Sequence, residues 1–328
     1  MDISGLDAFL DDTGFAGVAT VREGRREVFS VARGEARPGV ATTIDTRYDI
    51  AGITKLLTAI GVLQQAQQGA LDLELSIHHY VPALAGTRVP VAVDLLQLLT
   101  HSSGIADIAD EEAGESYEAL FAARSGADLG TTDAWLPLFV GKEPVAEPGT
   151  TVAYSDAGYV LAGLALERTT GRPYREQIAR SVLAKAGMDA SGFLDLRDEP
   201  ERIAVGGDAA ARAVAPQVGW PAEGAWATAP DLLRLLDALL TGRLVPGELG
   251  EELLLPQVDV DEDTAYGFGL SFDLEDDDSV RSFYADGVSL GASAMLRRYP
   301  DADVDLVVLS NDEDGAWELV RELDKRVP

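Results

Sequence analysis

Apolar residues recur along this chain with two periods, and the period changes with position. Between 15 and 36 they alternate. Val18, Ala19 and Val21 precede the turn-like Arg22-Glu23-Gly24-Arg25, and Val28, Ser30 and Val31 follow it, which predicts a β-hairpin after a short N-terminal helix. From 53 to 68, Leu56, Leu57, Ile60 and Leu63 fall at helical spacing, with Gly69 as a C-terminal stop. The middle of the chain reads as helix and loop. Short apolar or alternating runs return at 265–273, 280–286, 290–299 and 304–310, bounded by Asp, Gly and Pro, and Trp317 to Leu323 predicts a closing helix. If the first hairpin and the last strands share one sheet, the helical middle is an insertion emerging from that sheet's edge.

Composition narrows the function classes. A chain of 328 residues that is 46% hydrophobic can bury a substantial core and is long enough for two lobes. Acidic residues outnumber basic ones 56 to 26, a formal net charge of -30, and only Lys55, Lys142, Lys185 and Lys325 are lysines. Nucleic acid, which demands a basic footprint, is thereby excluded as an expected partner. So acidic a surface suits the salt-rich cytoplasm of a halophile, or serves solubility alone. There are no cysteines, hence no disulfides and no thiolate metal sites. The N-terminal residues lack the pattern of a secretory signal and no apolar run is of spanning length, so the expectation is a cytoplasmic protein with no membrane partner.

Three histidines add little chemistry. Adjacent His78 and His79 point different ways on most backbones, which argues against a metal site, and His101 is expected to fix a loop rather than act as a base. Ala204-Val205-Gly206-Gly207-Asp208 lacks the lysine of a phosphate-cradling loop. No metal or organic cofactor is implied. Trp135, Trp220, Trp226 and Tyr159 either line an apolar pocket or pack the core.

The segment Tyr48-Asp49-Ile50-Ala51-Gly52-Ile53-Thr54-Lys55 has the form of a Ser-x-x-Lys motif with glycine in place of serine. Residues i and i+3 share one helix face, so a lysine there can take the proton of a hydroxyl one turn earlier, and the helix N-terminus favours the developing anion. Gly52 has no hydroxyl, and acyl transfer from position 52 is chemically impossible. Glycine is also acceptable as a plain helix-start residue. A cation at a helix N-terminus is unfavourable, so Lys55 calls for a partner or a function.

Three further segments, Leu98-Leu99-Thr100-His101-Ser102-Ser103-Gly104-Ile105, Glu147-Pro148-Gly149-Thr150-Thr151-Val152-Ala153-Tyr154-Ser155-Asp156-Ala157-Gly158-Tyr159 and Ala225-Trp226-Ala227-Thr228-Ala229-Pro230-Asp231-Leu232-Leu233, resemble landmarks of the serine β-lactamase-like family. That family includes class C β-lactamases, DD-peptidases, D-aminopeptidases, esterases and acyltransferases. The match runs in order from about residue 15 to 320. It implies an α+β fold: an antiparallel sheet flanked by N- and C-terminal helices, from 1–60 and 260–328, with an inserted all-helical lobe over 61–259 and the active-site cleft between them.

In that family the motif serine forms an acyl-enzyme, a Tyr-x-Asn motif supplies a proton-transferring tyrosine and a substrate-contacting amide, and a Lys-Thr-Gly or His-x-Gly strand motif helps to bind a substrate carboxylate. The resemblance puts Lys55 at the motif lysine, Tyr154 at the tyrosine and Asp156 at the asparagine position. Ala285-Asp286-Gly287 matches the strand motif, with Ala285 where the basic residue belongs, and Val288 would carry the oxyanion-hole amide. The chain departs from the pattern at Gly52, Asp156 and Ala285. Each residue also has a plainer reading: Tyr154 as core, Asp156 as a helix N-cap, Ala285 and Asp286 as strand-end and turn.

Ala285 removes an attraction for carboxylates while Asp156 and Asp286 add negative potential. Penicillins and D-Ala-D-Ala peptides carry that carboxylate, so the expected partner is a small molecule or peptide with an amine: an amide, an ester or a peptide. Three explanations of Gly52 follow. A hydrolase has had its serine removed by design; Lys55 and Tyr154 carry out non-covalent proton transfer, as in an isomerase, lyase or cyclase; or the cleft is a non-catalytic binding module.

Overall fold

Residues 17–33 and 258–310 supply one eight-stranded antiparallel sheet in a computed structural model that describes residues 1–110, 114–124 and 126–328. In chain order the strands are β1 (Gly17–Glu23), β2 (Arg26–Arg33), the short pair β3 (Glu35–Arg37) and β4 (Val40–Ala41), β5 (Tyr48–Asp49), β6 (Trp226–Ala227), β7 (Val258–Asp259), β8 (Thr264–Tyr266), β9 (Ser271–Leu274), β10 (Val280–Ser289), β11 (Ala292–Tyr299) and β12 (Val304–Ser310). The large sheet has the order β2-β1-β12-β11-β10-β9-β8-β7, and β5 pairs separately with β6. The fold is therefore α+β, as the resemblance implies.

Alternation along the central strands assigns their two faces. Ala19, Val21, Leu306 and Val308 pack with Leu6 and Leu10 of helix α1 (Leu6–Thr13) and with Leu319 and Leu323 of the closing helix. Val18, Val307 and Leu309 point the other way, into a core built on α2 (Thr54–Gln67) and α3 (Asp156–Thr170). Because both faces are covered, β12 is buried along its whole length, which explains its nearly unbroken apolar sequence. Helix α2 is buried on every side from Thr54 to Gln64. Such an all-round apolar helix is what a position between a sheet and a second helical layer requires.

Local departures from the sequence reading have glycine at their centre. The expected strand 265–273 is two strands, β8 and β9, because Gly269 takes φ +73° in the turn between them. Strand β10 runs on to Ser289, and Leu290-Gly291 form the turn, so β11 starts at Ala292 rather than 290. A buried ionic network ties the sheet to α4 (Ala229–Leu240): Arg22 Nε donates to Asp305 (2.8 Å) and its terminal nitrogens to both carboxylate oxygens of Asp237 (2.9 and 2.7 Å). Arg298 completes it by donating to the other oxygen of Asp305 at 2.6 Å.

Candidate active-site cleft

The N-terminal end of α2 is pinned from three directions. A 3-10 turn, Ala51–Ile53, leads into it, and Ala51 sits at φ +44°, a left-handed conformation uncommon outside glycine, with its N–H held by Asp49 Oδ1 at 2.8 Å. Thr54 Oγ1 accepts the Ala225 N–H (3.1 Å), and the Thr58 hydroxyl donates to the Pro221 carbonyl (2.6 Å). Ile50 N–H reaches Ala225 O at 2.9 Å, and Tyr48 pairs with Ala227. The segment 225–233 therefore lies against the Gly52–Lys55 turn in space, though far from it in sequence.

Strand β10 crosses over this turn. A Cβ placed on Gly52 would lie 2.6 Å from the Asp286 carbonyl oxygen, and one on Gly287 would lie 2.2 Å from Gly52 N. Backbone meets backbone here, at a separation that real Cβ atoms do not reach. Two glycines make the approach feasible.

Lys55 rises from the first turn of α2 and is 4% exposed. Its Nζ stands 2.7 Å from Asp156 Oδ1, donates to the Ala222 carbonyl at 3.3 Å and lies 5.0 Å from the centre of the Tyr154 ring. Asp156 is equally buried, and its second oxygen accepts the Tyr117 hydroxyl at 2.5 Å. The helix α3 is not capped by Asp156. Ser155 is the N-cap, its side chain accepting the Gly158 N–H, which frees Asp156 at the first helical position to turn toward Lys55. Burial alone would push the Lys55 ammonium toward deprotonation. The Asp156 charge and its hydrogen bond outweigh it and hold the pKa well above the ordinary lysine value.

Tyr154 is half exposed and stacks on His101, with ring centres 4.4 Å apart. His101 is buried, and its Nδ1 accepts the Ser155 N–H at 3.1 Å, so that nitrogen carries no proton. Burial first, then the Lys55 charge, press its pKa down to about 3. It is a neutral spacer that joins the 98–105 segment to the 147–159 segment, a link that Ala153 N–H to His101 O repeats at 2.8 Å. Although half of the Tyr154 residue is exposed, desolvation at its hydroxyl outweighs the opposing Lys55 charge and raises its pKa, so the phenol stays protonated.

Gly52, Lys55, Tyr154, Ala285 and Asp286 border one small cavity of about 70 Å³. Ala285 belongs to strand β10, which packs on the Ala51–Ile53 turn, and is buried; the alternative reading of 285 and 286 as strand-end and turn is corrected, since β10 continues to 289. Gly287 makes the backbone contact with Gly52, and Val288, half exposed, faces a second and larger cavity of about 910 Å³ with Tyr154 and Asp156. Seven of the eight residues carried over from the family motifs thus border these two cavities, which share Tyr154, and the eighth, Gly287, packs on Gly52. Among the four aromatics, Trp135 and Tyr159 are fully buried core residues, whereas Trp220 and Trp226 border a neighbouring cavity.

Three cleft residues escaped sequence reasoning: Asp107, Tyr117 and Glu223. Asp107 Oδ1 accepts the Ala157 N–H at 2.9 Å and the Ser155 hydroxyl at 3.3 Å, bracing the start of α3. Burial, then the nearby Asp156, raise its carboxyl to about 6. Glu223 sits in a tight turn closed by Trp220 N–H to Glu223 O (2.8 Å), between the larger cavity and its neighbour. Burial, then Asp156, raise it to about 8 in spite of Lys55. The only sequence signal for Glu223 is a lone charge inside the apolar Gly219-Trp220-Pro221-Ala222 turn; Asp107 and Tyr117 have none, because their partner Asp156 is distant along the chain.

Comparison with known proteins places the chain in a family. The beta-lactamase family model matches residues 6–326. The D-alanyl-D-alanine-carboxypeptidase/endopeptidase AmpH of Escherichia coli is 26% identical over 236 residues, 70% of this chain and 58% of AmpH. Esterase EstB of Burkholderia gladioli is 32% identical over 243 residues, 64% of this chain and 60% of EstB. The chain thus spans about three fifths of the length of these two relatives. Among solved structures, a penicillin binding protein from Bacillus halodurans superposes with a TM-score of 0.91 at 27% identity, covering 98% of this chain and 99% of that one. With a family model matching nearly its whole length and a fold that superposes on a penicillin binding protein, this chain belongs to the beta-lactamase family of hydrolase and acyl-transfer scaffolds.

Proposed function

We propose that this chain is a non-acylating member of its family, whose cleft binds an amine-bearing amide, ester or peptide without forming a covalent intermediate. The observation that carries this is the buried Lys55–Asp156 pair at 2.7 Å. A lysine held as an ammonium cannot serve as the base that activates a hydroxyl. Position 52 has no hydroxyl in any case, and the approach of the Asp286 carbonyl favours glycine there as part of the packing rather than as a residue put in place of serine. The preference for an amine rests on charge: Asp156 and Asp107 stand beside one lysine, Glu223 adds a carboxyl that a bound ammonium can ionise, and Ala285 supplies no cation on β10.

Two measurements test the reading. In titration calorimetry, an aminoacyl amide is expected to bind at least tenfold more tightly than its N-acetylated, uncharged counterpart or a matched carboxylate; tighter binding of the carboxylate overturns the charge argument. Gly52→Ser, assayed with chromogenic esters and aminoacyl amides, is expected to show no burst of acylation. A stoichiometric burst would restore the hydrolase reading.

A second reading has one observation in its favour. Glu223 and Asp107 have carboxyls raised into the range where proton transfer at neutral pH is efficient. Non-covalent acid–base chemistry would then run through Glu223 rather than through Lys55 and Tyr154. Solvent deuterium incorporated into a bound amine-bearing ligand, and abolished in Glu223→Gln, distinguishes it from simple binding.

A further inference from the structure

Beyond the cleft at Gly52, a separate cavity of about 470 Å³ opens between β3, the segment 196–217 and the β10–β11 turn. Its wall is largely apolar, with Leu196, Ile203, Val205, Pro216, Trp226 and Leu290. Two guanidinium groups break this wall, those of Arg37 on β3 and Arg212 on the Ala209–Val214 helix. Among the described residues neither has a carboxylate partner, although acidic side chains outnumber basic ones by more than two to one. Among the described residues Arg37 makes no side-chain hydrogen bond, and Arg212 spends only its Nη1, on the carbonyls of Gly206 and Gly207. Both are half-buried rather than spread into solvent. Guanidinium groups at a half-buried wall with N–H donors to spare can take an anionic group.

The recess is rigidly built. Val205 N–H donates to Ala36 O at 2.6 Å, Ala204 N–H to Arg47 O at 2.8 Å, and Asn311 Nδ2 to Glu35 O at 3.1 Å, so the two β3 residues that precede Arg37 are fastened to Val205 and Asn311. Two carboxylates share the wall. Asp49 has both oxygens engaged, by Ala51 N–H at 2.8 Å and the Ser289 hydroxyl at 3.0 Å, and Glu199 is exposed at the rim.

We propose that this recess is a binding subsite for a carboxylate attached to an apolar body, with Arg37 and Arg212 gripping the carboxylate and the Leu196, Ile203 and Trp226 surface holding the rest. Guanidinium groups suit a planar carboxylate because they offer parallel N–H donors, and the apolar wall excludes a fully hydrated inorganic anion. The subsite is independent of the reading at Gly52. It shares Asp49, Leu196 and Trp226 with the cavity next to Glu223, so a longer ligand could present an amine at one end of the trench and a carboxylate at the other.

The test uses 4-phenylbutyrate, its uncharged amide and inorganic phosphate, followed by tryptophan fluorescence and calorimetry on the full chain. The acid is expected to bind at least tenfold more tightly than the amide, and Arg37→Gln is expected to erase that advantage. Arg37 has no partner to lose, so this variant isolates the contact; Arg212→Gln should act likewise but can also loosen the 206–207 turn. Asp156→Asn, which alters only the main cleft, should leave the advantage intact. Equal binding of acid and amide, no saturable binding of the acid, an advantage that survives Arg37→Gln, or competition by phosphate at equal strength would each overturn the proposal. None of these outcomes depends on whether the main cleft prefers amines, so the two readings fail separately.

Discussion

A methyl group added at position 52 would press on the Asp286 carbonyl oxygen at 2.6 Å, and that contact decides between two opposing effects. Replacing glycine by alanine near a helix start gains up to about 1 kcal/mol from backbone entropy. Overpacking against backbone costs about 1–3 kcal/mol. Gly52→Ala is therefore expected to be destabilising in urea unfolding, and a stabilised variant would show that β10 yields easily. Glu223 gives a pH signature at the same scale. Its carboxyl is raised from 4.5 to about 8, so the stability it contributes is complete below pH 4.5 and is lost as pH climbs through 8. The denaturation midpoint should fall between pH 5 and 8, and less so in Glu223→Gln. At pH 7 the same carboxyl is largely protonated, and a bound ammonium will expel that proton. Calorimetry of an aminoacyl amide in buffers of different ionisation enthalpy should report proton release; none would remove Glu223 from the binding face.

At the scale of elements, the Arg22–Asp305–Arg298 network with Asp237 joins β1, β11, β12 and α4, and Asp305 is wholly buried. Removing one member of a buried ionic set costs about 3–5 kcal/mol because the remaining charges stay desolvated. Asp305→Ala is expected to lose stability of that order while leaving ligand binding by the folded fraction unchanged. A loss under 1 kcal/mol would mean that water reaches the arginines. Elements were also the part most legible in the sequence. The hairpin, the helix after Lys55 and the late strands are each written in local periodicity, and Gly52, Lys55 and Tyr154 sit in ordered motifs. The Asp305 network and the carboxylates Asp107 and Glu223 were not legible, since their meaning lies in partners tens to hundreds of residues away. Asp156 was half legible: its place in the motif was clear, but whether it would cap α3 or face Lys55 depended on Ser155 taking the cap.

The whole molecule carries a formal charge of -30, and repulsion among its surface carboxylates opposes the compact state. Salt shortens the screening length from about 30 Å at 0.01 M to about 3 Å at 1 M. The melting temperature should accordingly rise on going from 0.01 M to 1 M KCl. A flat or falling curve would show that local ion pairs, which salt weakens, matter more than the net charge. Among the described residues no helix is long and apolar enough to cross a membrane.

The central claim is that Lys55 is a permanent ammonium locked to Asp156. With only four lysines in the chain, selective 13C labelling at lysine Cε yields four signals, and Lys55→Arg identifies the relevant one. Following that signal from pH 5 to 11 should show no titration below 10.5, and Asp156→Asn should move its midpoint downward. A Lys55 midpoint between pH 6 and 9 in the unaltered chain would contradict the account and return the lysine to service as a base.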